Sequence, residues 1–303
     1  MIRERLEALS RVEAQIAMAP APERPALEAQ RDALLSSLAD LAPQDKVRLA
    51  RHPHRPRIGA YIEALFTDFF EQRGDRLGYE DTSVLGGIAR FHGRPVTVIG
   101  HRKGQDISES IACNFGMPGP EGYRKALRMM RQAEKFRRPV ITFIDTPGAY
   151  PGVEAEARGQ GEAIARNLAE MSRLSVPVIA VVTGEASSGG ALAIGVANRV
   201  LMLENAIYAV LSPEGFASIL WKDASRRDEA AGLMKITAQD LLGFGVIEEI
   251  VPEPTGGAQR APEAVFAALD AALARHLGEL NELSGEELAR QRIQKYRRIG
   301  QAG

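Results

Sequence analysis

The chain has 303 residues, 45% hydrophobic and 25% charged, with a formal net charge of -1. That is the composition expected of a soluble globular protein, and the near-neutral charge excludes a global electrostatic pull toward nucleic acid or anionic membrane. The single cysteine, Cys113, excludes internal disulfides and a multi-cysteine zinc site, and makes a reducing, cytoplasmic setting the expectation.

Met1 to Arg5 lead into a charged amphipathic stretch rather than a signal-peptide core, and no apolar run reaches the roughly 18 residues of a membrane span. Leu6, Leu9, Val12 and Ile16 recur at helical spacing, as do Leu34, Leu38 and Leu41; Pro20, Pro22 and Pro25 separate the two sets. The pattern predicts a helical hairpin over residues 1–50, charged outside, followed by a stiff linker at His52-Pro53-His54-Arg55-Pro56 and a main domain over 51–303. From residue 84 the chain alternates strands and helices. Val96–Gly100, Val140–Ile144 and Val178–Val182 are β-branched runs suited to strands covered on both faces. Tyr123, Ala126, Leu127, Met130 and Ala133 mark one amphipathic helix; Glu162, Ile164, Leu168 and Met171 mark another. Val200–Leu203, Ile207–Leu211 and Val246–Val251 read as further short strands, and residues 261–298 as C-terminal helices. An α/β domain with mostly parallel strands follows.

Two glycine-rich turns stand at the C-terminal ends of predicted strands, where open α/β sheets place their ligands. The first is Asp145-Thr146-Pro147-Gly148-Ala149-Tyr150-Pro151-Gly152. Its Asp-Thr-Pro-Gly resembles a GTPase segment, but Gly-Lys never occurs as a dipeptide, so the phosphate-cradling loop is missing. A plain structural turn explains it equally well. The second runs from Gly184 to Gly190 into Ala191-Leu192-Ala193-Ile194-Gly195. A helix starting there presents unpaired amides to an anion, and glycine lets the anion approach the backbone. A close-packing turn has the same composition, so both readings stand.

Ser187 and Ser188 invite a nucleophile, with His101 or His276 as partner, although the G-x-S-x-G elbow is absent. Cys113 has no activating neighbour in sequence. His101-Arg102-Lys103-Gly104 ends a strand, and Arg124 and Lys125 open the next helix; such a cluster suits phosphate or carboxylate groups, or a solvated rim.

Together these residues resemble the alpha subunit of the acetyl-coenzyme A carboxylase carboxyltransferases of the multi-subunit bacterial type. The similarity is carried from about Arg51 to Arg260 by Gly86-Gly87-Ile88-Ala89-Arg90, Asn114-Phe115-Gly116-Met117-Pro118 and Pro120-Glu121-Gly122-Tyr123-Arg124-Lys125-Ala126. It continues through residues 141–152, residues 189–195, Ser212-Pro213-Glu214-Gly215, Ile219-Leu220-Trp221-Lys222 and residues 252–258. Two departures are visible: Ala186 and Ser187 stand where many members carry glycines, and the loop after Lys103 has Gln105, Ser108, Ser110, Ala112 and Cys113 where basic residues are usual.

The resemblance implies a crotonase-like (ClpP/crotonase) α/β fold, a spiral of ββα units behind an N-terminal helical segment. It implies transfer of a carboxyl group from carboxybiotin, held on a carrier protein, to acetyl-CoA, giving malonyl-CoA for fatty acid synthesis. The amides of Gly189 and Gly190 would hold the ureido oxygen of biotin. Pro147, Gly148, Ala149 and Tyr150, with Arg102 and Lys103, would contact substrate. No metal is expected in this chain. Zinc would reside in a partner beta subunit, in an α2β2 assembly, and ATP would be used by a separate biotin carboxylase. Neither membrane nor nucleic acid is an expected partner. A hydratase or isomerase using Glu185, a Ser-His peptidase and a noncatalytic carrier-binding scaffold are the rivals.

Overall fold

The computed structural model describes residues 2–301. Helix α1 (Ile2–Met18) and α2 (Arg24–Ser37) pack side by side. Leu9, Leu38 and Leu41 are buried between them and the next segment, and Pro25 sits in the first turn of α2, where its missing N–H is harmless. The sequence pattern does not separate a third helix, α3 (Pro43–Ala50), which also opens on proline. Val47 and Ala50 of α3 pack on Ile207, Ala231 and Ile236, tying the N-terminal helices to the short strand that pairs with residues 185–187.

The segment His52–Pro56 is no mere linker. Arg55 is completely buried: its Nε donates to the Thr183 carbonyl at 2.6 Å, and its two terminal nitrogens grip Glu253. Asn205 and the Ala258 amide also donate to Glu253. A buried pair of this kind adds little net stability, but removing one partner leaves an uncompensated charge.

After α4 (Ile58–Leu65), strands β1 (Thr67–Glu71), β2 (Val84–Phe91) and β3 (Arg94–His101) form an antiparallel meander. Sequence periodicity does not resolve β1 and β2. Gly87 lies against the backbone of Phe70 where a Cβ would not fit, so the Gly86-Gly87 pair serves strand packing rather than a turn. Helices α5 (Ile107–Ala112) and α6 (Pro120–Lys135) lead to β4 (Val140–Thr146), then α7 (Val153–Ala157) and α8 (Gln160–Arg173) to β5 (Val178–Ser187). A five-residue α9 (Ser188–Leu192), β6 (Arg199–Leu203) and β7 (Ile207–Ala209) follow. The chain continues through α10 (Pro213–Trp221), α11 (Arg227–Leu233), α12 (Ala238–Gly243) and β8 (Glu249–Val251), and closes with α13 (Pro262–Asn281) and α14 (Gly285–Arg298).

The sheet order is β1-β2-β3-β4-β5-β6-β8, parallel from β3 onward. Every residue of β4 and β5 is buried, as their unbroken apolar runs require of strands covered on both faces. β5 changes neighbour along its length. Ile179–Val182 pair with β6, whereas Glu185–Ser187 pair with β7. The split leaves the end of β5 free to turn into α9, and this places the site.

Candidate functional site

The two glycine-rich turns meet. A Cβ on Gly190 would lie 2.5 Å from both the Ala149 nitrogen and the Gly148 carbonyl carbon, so only glycine permits the approach. Gly189 differs: a Cβ there would meet only the Ile164 side chain, at 3.6 Å, an ordinary contact. Ser187 is the N-cap residue of α9, yet its side chain caps nothing. Among the described residues the Ala149 amide has no acceptor, and Gly189 and Gly190 stand in the first turn of α9, where helix amides precede the i→i−4 ladder. The flanking amides are occupied, Gly148 N–H by the Thr146 hydroxyl at 3.0 Å and Tyr150 N–H by the Pro118 carbonyl at 3.0 Å. The arrangement therefore brings the first-turn amides of α9 beside the free Ala149 amide, with no side-chain acid among them, which suits a developing oxyanion.

Ser188 makes the corner. Its φ of 55° is left-handed, a conformation that costs a non-glycine residue about 1–3 kcal/mol, and it converts the strand into the helix within one residue. Its side chain is exposed. It opens, with Leu192, onto a cavity of about 550 Å³ whose walls include Tyr208, Val210, Phe216 and Ile236, with Lys235 the one charged residue lining it. A largely apolar hollow at the Ser188 corner fits a ligand with an apolar body.

At the strand end of the same turn the material is ionic. Asp145, last but one in β4, accepts from Lys103 at 3.0 Å and Arg57 at 2.6 Å, and from the Glu185 amide at 3.2 Å. Burial alone would raise its pKa, but the charges of Lys103 and Arg57 and these hydrogen bonds hold it down at about 2. Gly184 is glycine because a Cβ would fall 2.5 Å from the Asp145 carboxylate. Glu185 pairs with Arg51 at 2.5 Å, and Arg51 also reaches Glu214 at 2.9 Å. A hydratase would need Glu185 facing the substrate, whereas here it is buried and ion-paired.

The remaining sequence candidates fall into place around this core. Pro147 is exposed, Ala149 and Tyr150 half-buried, all on the turn that touches Gly190. Lys103 is committed to Asp145, and Arg102 pairs with Glu109 at 2.7 Å, away from the free amides' own contacts. For Arg124 and Lys125, left open between an anion site and a solvated rim, the structure gives internal contacts instead. Lys125 is buried against Glu80 and the Asp81 carbonyl, and Arg124 binds the Arg158 carbonyl. His276 is held by Glu249 at 2.7 Å, and both ring nitrogens of His101 are without partners, so no histidine of the two serves Ser188. Cys113 is a buried free thiol whose pKa burial pushes up. The Arg51–Glu185–Lys103–Asp145 network was not legible in the sequence, since its members lie up to 134 residues apart.

The family described as acetyl co-enzyme A carboxylase carboxyltransferase-like matches residues 1–300. The acetyl-coenzyme A carboxylase carboxyl transferase subunit alpha of Anoxybacillus flavithermus is 59% identical over 275 residues, 90% of this chain and 85% of that protein. The same subunit of Heliobacterium modesticaldum is 59% identical over 261 residues, 86% of this chain and 78% of that one. Among solved structures, a Pseudomonas malonate decarboxylase hetero-tetramer in complex with coenzyme A superposes with a TM-score of 0.62 at 20% identity, covering 78% of this chain and 92% of that one. A transcarboxylase 12S structure with methylmalonyl-coenzyme A bound gives a TM-score of 0.57 at 22% identity, covering 77% and 46%.

Proposed function

The chain belongs to the acetyl-coenzyme A carboxylase carboxyltransferase family, and from that premise we propose that it catalyses carboxyl transfer through the backbone donors where its two turns converge. Its fold is the crotonase-like α/β fold, and its activity is that of the alpha subunit, a transferase forming malonyl-CoA for fatty acid synthesis. The single observation that carries the site is the contact of Gly190 with Gly148 and Ala149, which brings the first-turn amides of α9 to the unbonded Ala149 amide.

Biotin, when bound, supplies the carboxyl donor, and its ureido oxygen gains negative charge as the carboxyl group leaves. The amides of Gly189, Gly190 and Ala149 are the groups that would face that oxygen. They need no reorganisation, because α9 and the Thr146–Gly148 hydroxyl bond already fix them. Pro147 to Tyr150 form the wall on the substrate side. Lys103 acts indirectly, by holding Asp145 and through it the Glu185 amide; Arg102 remains a candidate for the outer part of the acyl-CoA substrate. Residues 1–50 are a helical appendage to the domain spanning 51–303.

One set of converging amides stabilises one oxyanion, whereas transfer generates two, on biotin and on the thioester enolate. A second subunit is therefore needed. We assign that role to a zinc-bearing beta subunit in an α2β2 assembly, fed by a biotin carboxyl carrier protein and an ATP-using biotin carboxylase in the cytoplasm. No helix among the described residues is long and apolar enough to cross a membrane. The test is to assay the purified chain with a carboxybiotin donor and acetyl-CoA, alone and then with beta. Malonyl-CoA should appear only in the mixture; equal rates from the chain alone would defeat the two-subunit site.

A further inference from the structure

At the end of β3 lies a group that the amide mechanism leaves unused. His101 is 2% exposed, and neither of its ring nitrogens has a hydrogen-bond partner. Burial pushes its pKa down to about 4, opposed by the charge of Asp145 and by the Gly190 backbone beside the ring. A neutral imidazole carries one N–H, and leaving that donor unsatisfied in the interior costs about 1–3 kcal/mol.

The carbonyls around α9 show what it faces. The Gly189 carbonyl accepts from Ala193 N–H, that of Ala191 from Ile194 N–H and that of Leu192 from Gly195 N–H. Side chains serve the next three: Asn167 binds Ala193, Thr142 binds Ile194 and Tyr296 binds Gly195. Because Ile194 N–H turns to Ala191, the helix skips the Gly190 carbonyl, and among the described residues no donor reaches it. An orphan acceptor and an orphan donor thus lie side by side at the residue whose amide the mechanism needs.

We propose that His101 is a positioning residue whose neutral ring donates to the Gly190 carbonyl and so fixes the orientation of the amide donors. Gly190 has to be glycine to approach Gly148, and that freedom from a Cβ also frees its φ and ψ. Contact with the first turn restrains it from one side. The imidazole restrains it from the other, by a small closing motion of the ring onto the carbonyl. The inference rests on the carboxyltransferase reading, and wild-type transfer activity of the assembled complex tests that reading separately.

His101→Leu and His101→Gln are to be compared in the complex with the partner subunit. The Leu variant should lose about tenfold to a hundredfold in kcat, with KM for acetyl-CoA within about twofold. Gln, which keeps an N–H donor, should recover most of that loss. A Leu variant as fast as wild type, or Leu and Gln variants impaired alike, would overturn the assignment. Nitrogen NMR of labelled histidine in the unaltered complex reads the same point without any substitution. One fixed neutral tautomer with a hydrogen-bonded N–H supports it, and a ring exchanging between tautomers refutes it.

Discussion

At its strand end the β5 turn is locked by charge: Asp145, Glu185 and Glu214 meet Arg51, Arg57 and Lys103. At its helix end, three residues later, Ser188 opens onto a largely apolar cavity walled by Leu192, Val210 and Phe216, with Lys235 its one charged residue, and the amides of Gly189 and Gly190 follow directly. The difference teaches a division of labour. Charged side chains are consumed internally, each by an opposite charge, and hold the turn still. The donors left for a ligand are amides, which have no rotamers to lose and cannot be titrated away near neutral pH.

The largest effect should come from breaking the charged end. Asp145→Asn leaves Lys103 and Arg57 without their carboxylate, and removing one partner of a buried pair costs roughly 3–5 kcal/mol. Urea unfolding would measure it. The acid profile provides a second readout. The folded pKa of about 2 lies below the carboxyl's ordinary 3.8, so the carboxylate's contribution is present above 3.8 and lost as pH falls toward 2. In the Asn variant this part of the profile should flatten; an unchanged profile would show that the charged end does not lock the turn.

The next comparison lies within the amide end. Gly190→Ala drives a Cβ into the backbone of Gly148 and Ala149, and should lower malonyl-CoA formation about 100- to 1000-fold, the loss of one oxyanion donor. Gly189→Ala places the same methyl at an ordinary 3.6 Å from Ile164, with its amide still exposed, and should stay within about tenfold. Equal losses in the two folded variants would mean that the convergence of the turns is not what matters.

The smallest effect is expected at Ser188. Its hydroxyl is not paired with either nearby candidate histidine, so Ser188→Ala should keep transfer within about threefold of wild type, far from the million-fold loss of a missing serine nucleophile. Abolished turnover in a folded Ala variant would revive the hydrolase reading.

Local physics made much of this legible in advance. The unbroken apolar runs at Val140 and Val178 are buried parallel strands, the 3.6-residue pattern from Tyr123 is α6, and both glycine turns stand at strand ends. Antiparallel β1 escaped because its polar, half-exposed residues give no apolar run, and β2 because Gly86-Gly87, which lets the Phe70 backbone press close, interrupts its buried run.

The sequence by itself determined where glycine, small residues and a helix start coincide, because these are written locally, and the proposed chemistry sits there. Tertiary structure alone decided which glycine is indispensable, which cations are spent and where His101 faces. Those are questions of distance between segments remote in the chain, Gly190 against Gly148, Lys103 against Asp145, Arg51 against Glu185. No local period encodes them. They are fixed when β3, β4 and β5 pair in register and bring three strand ends to one place.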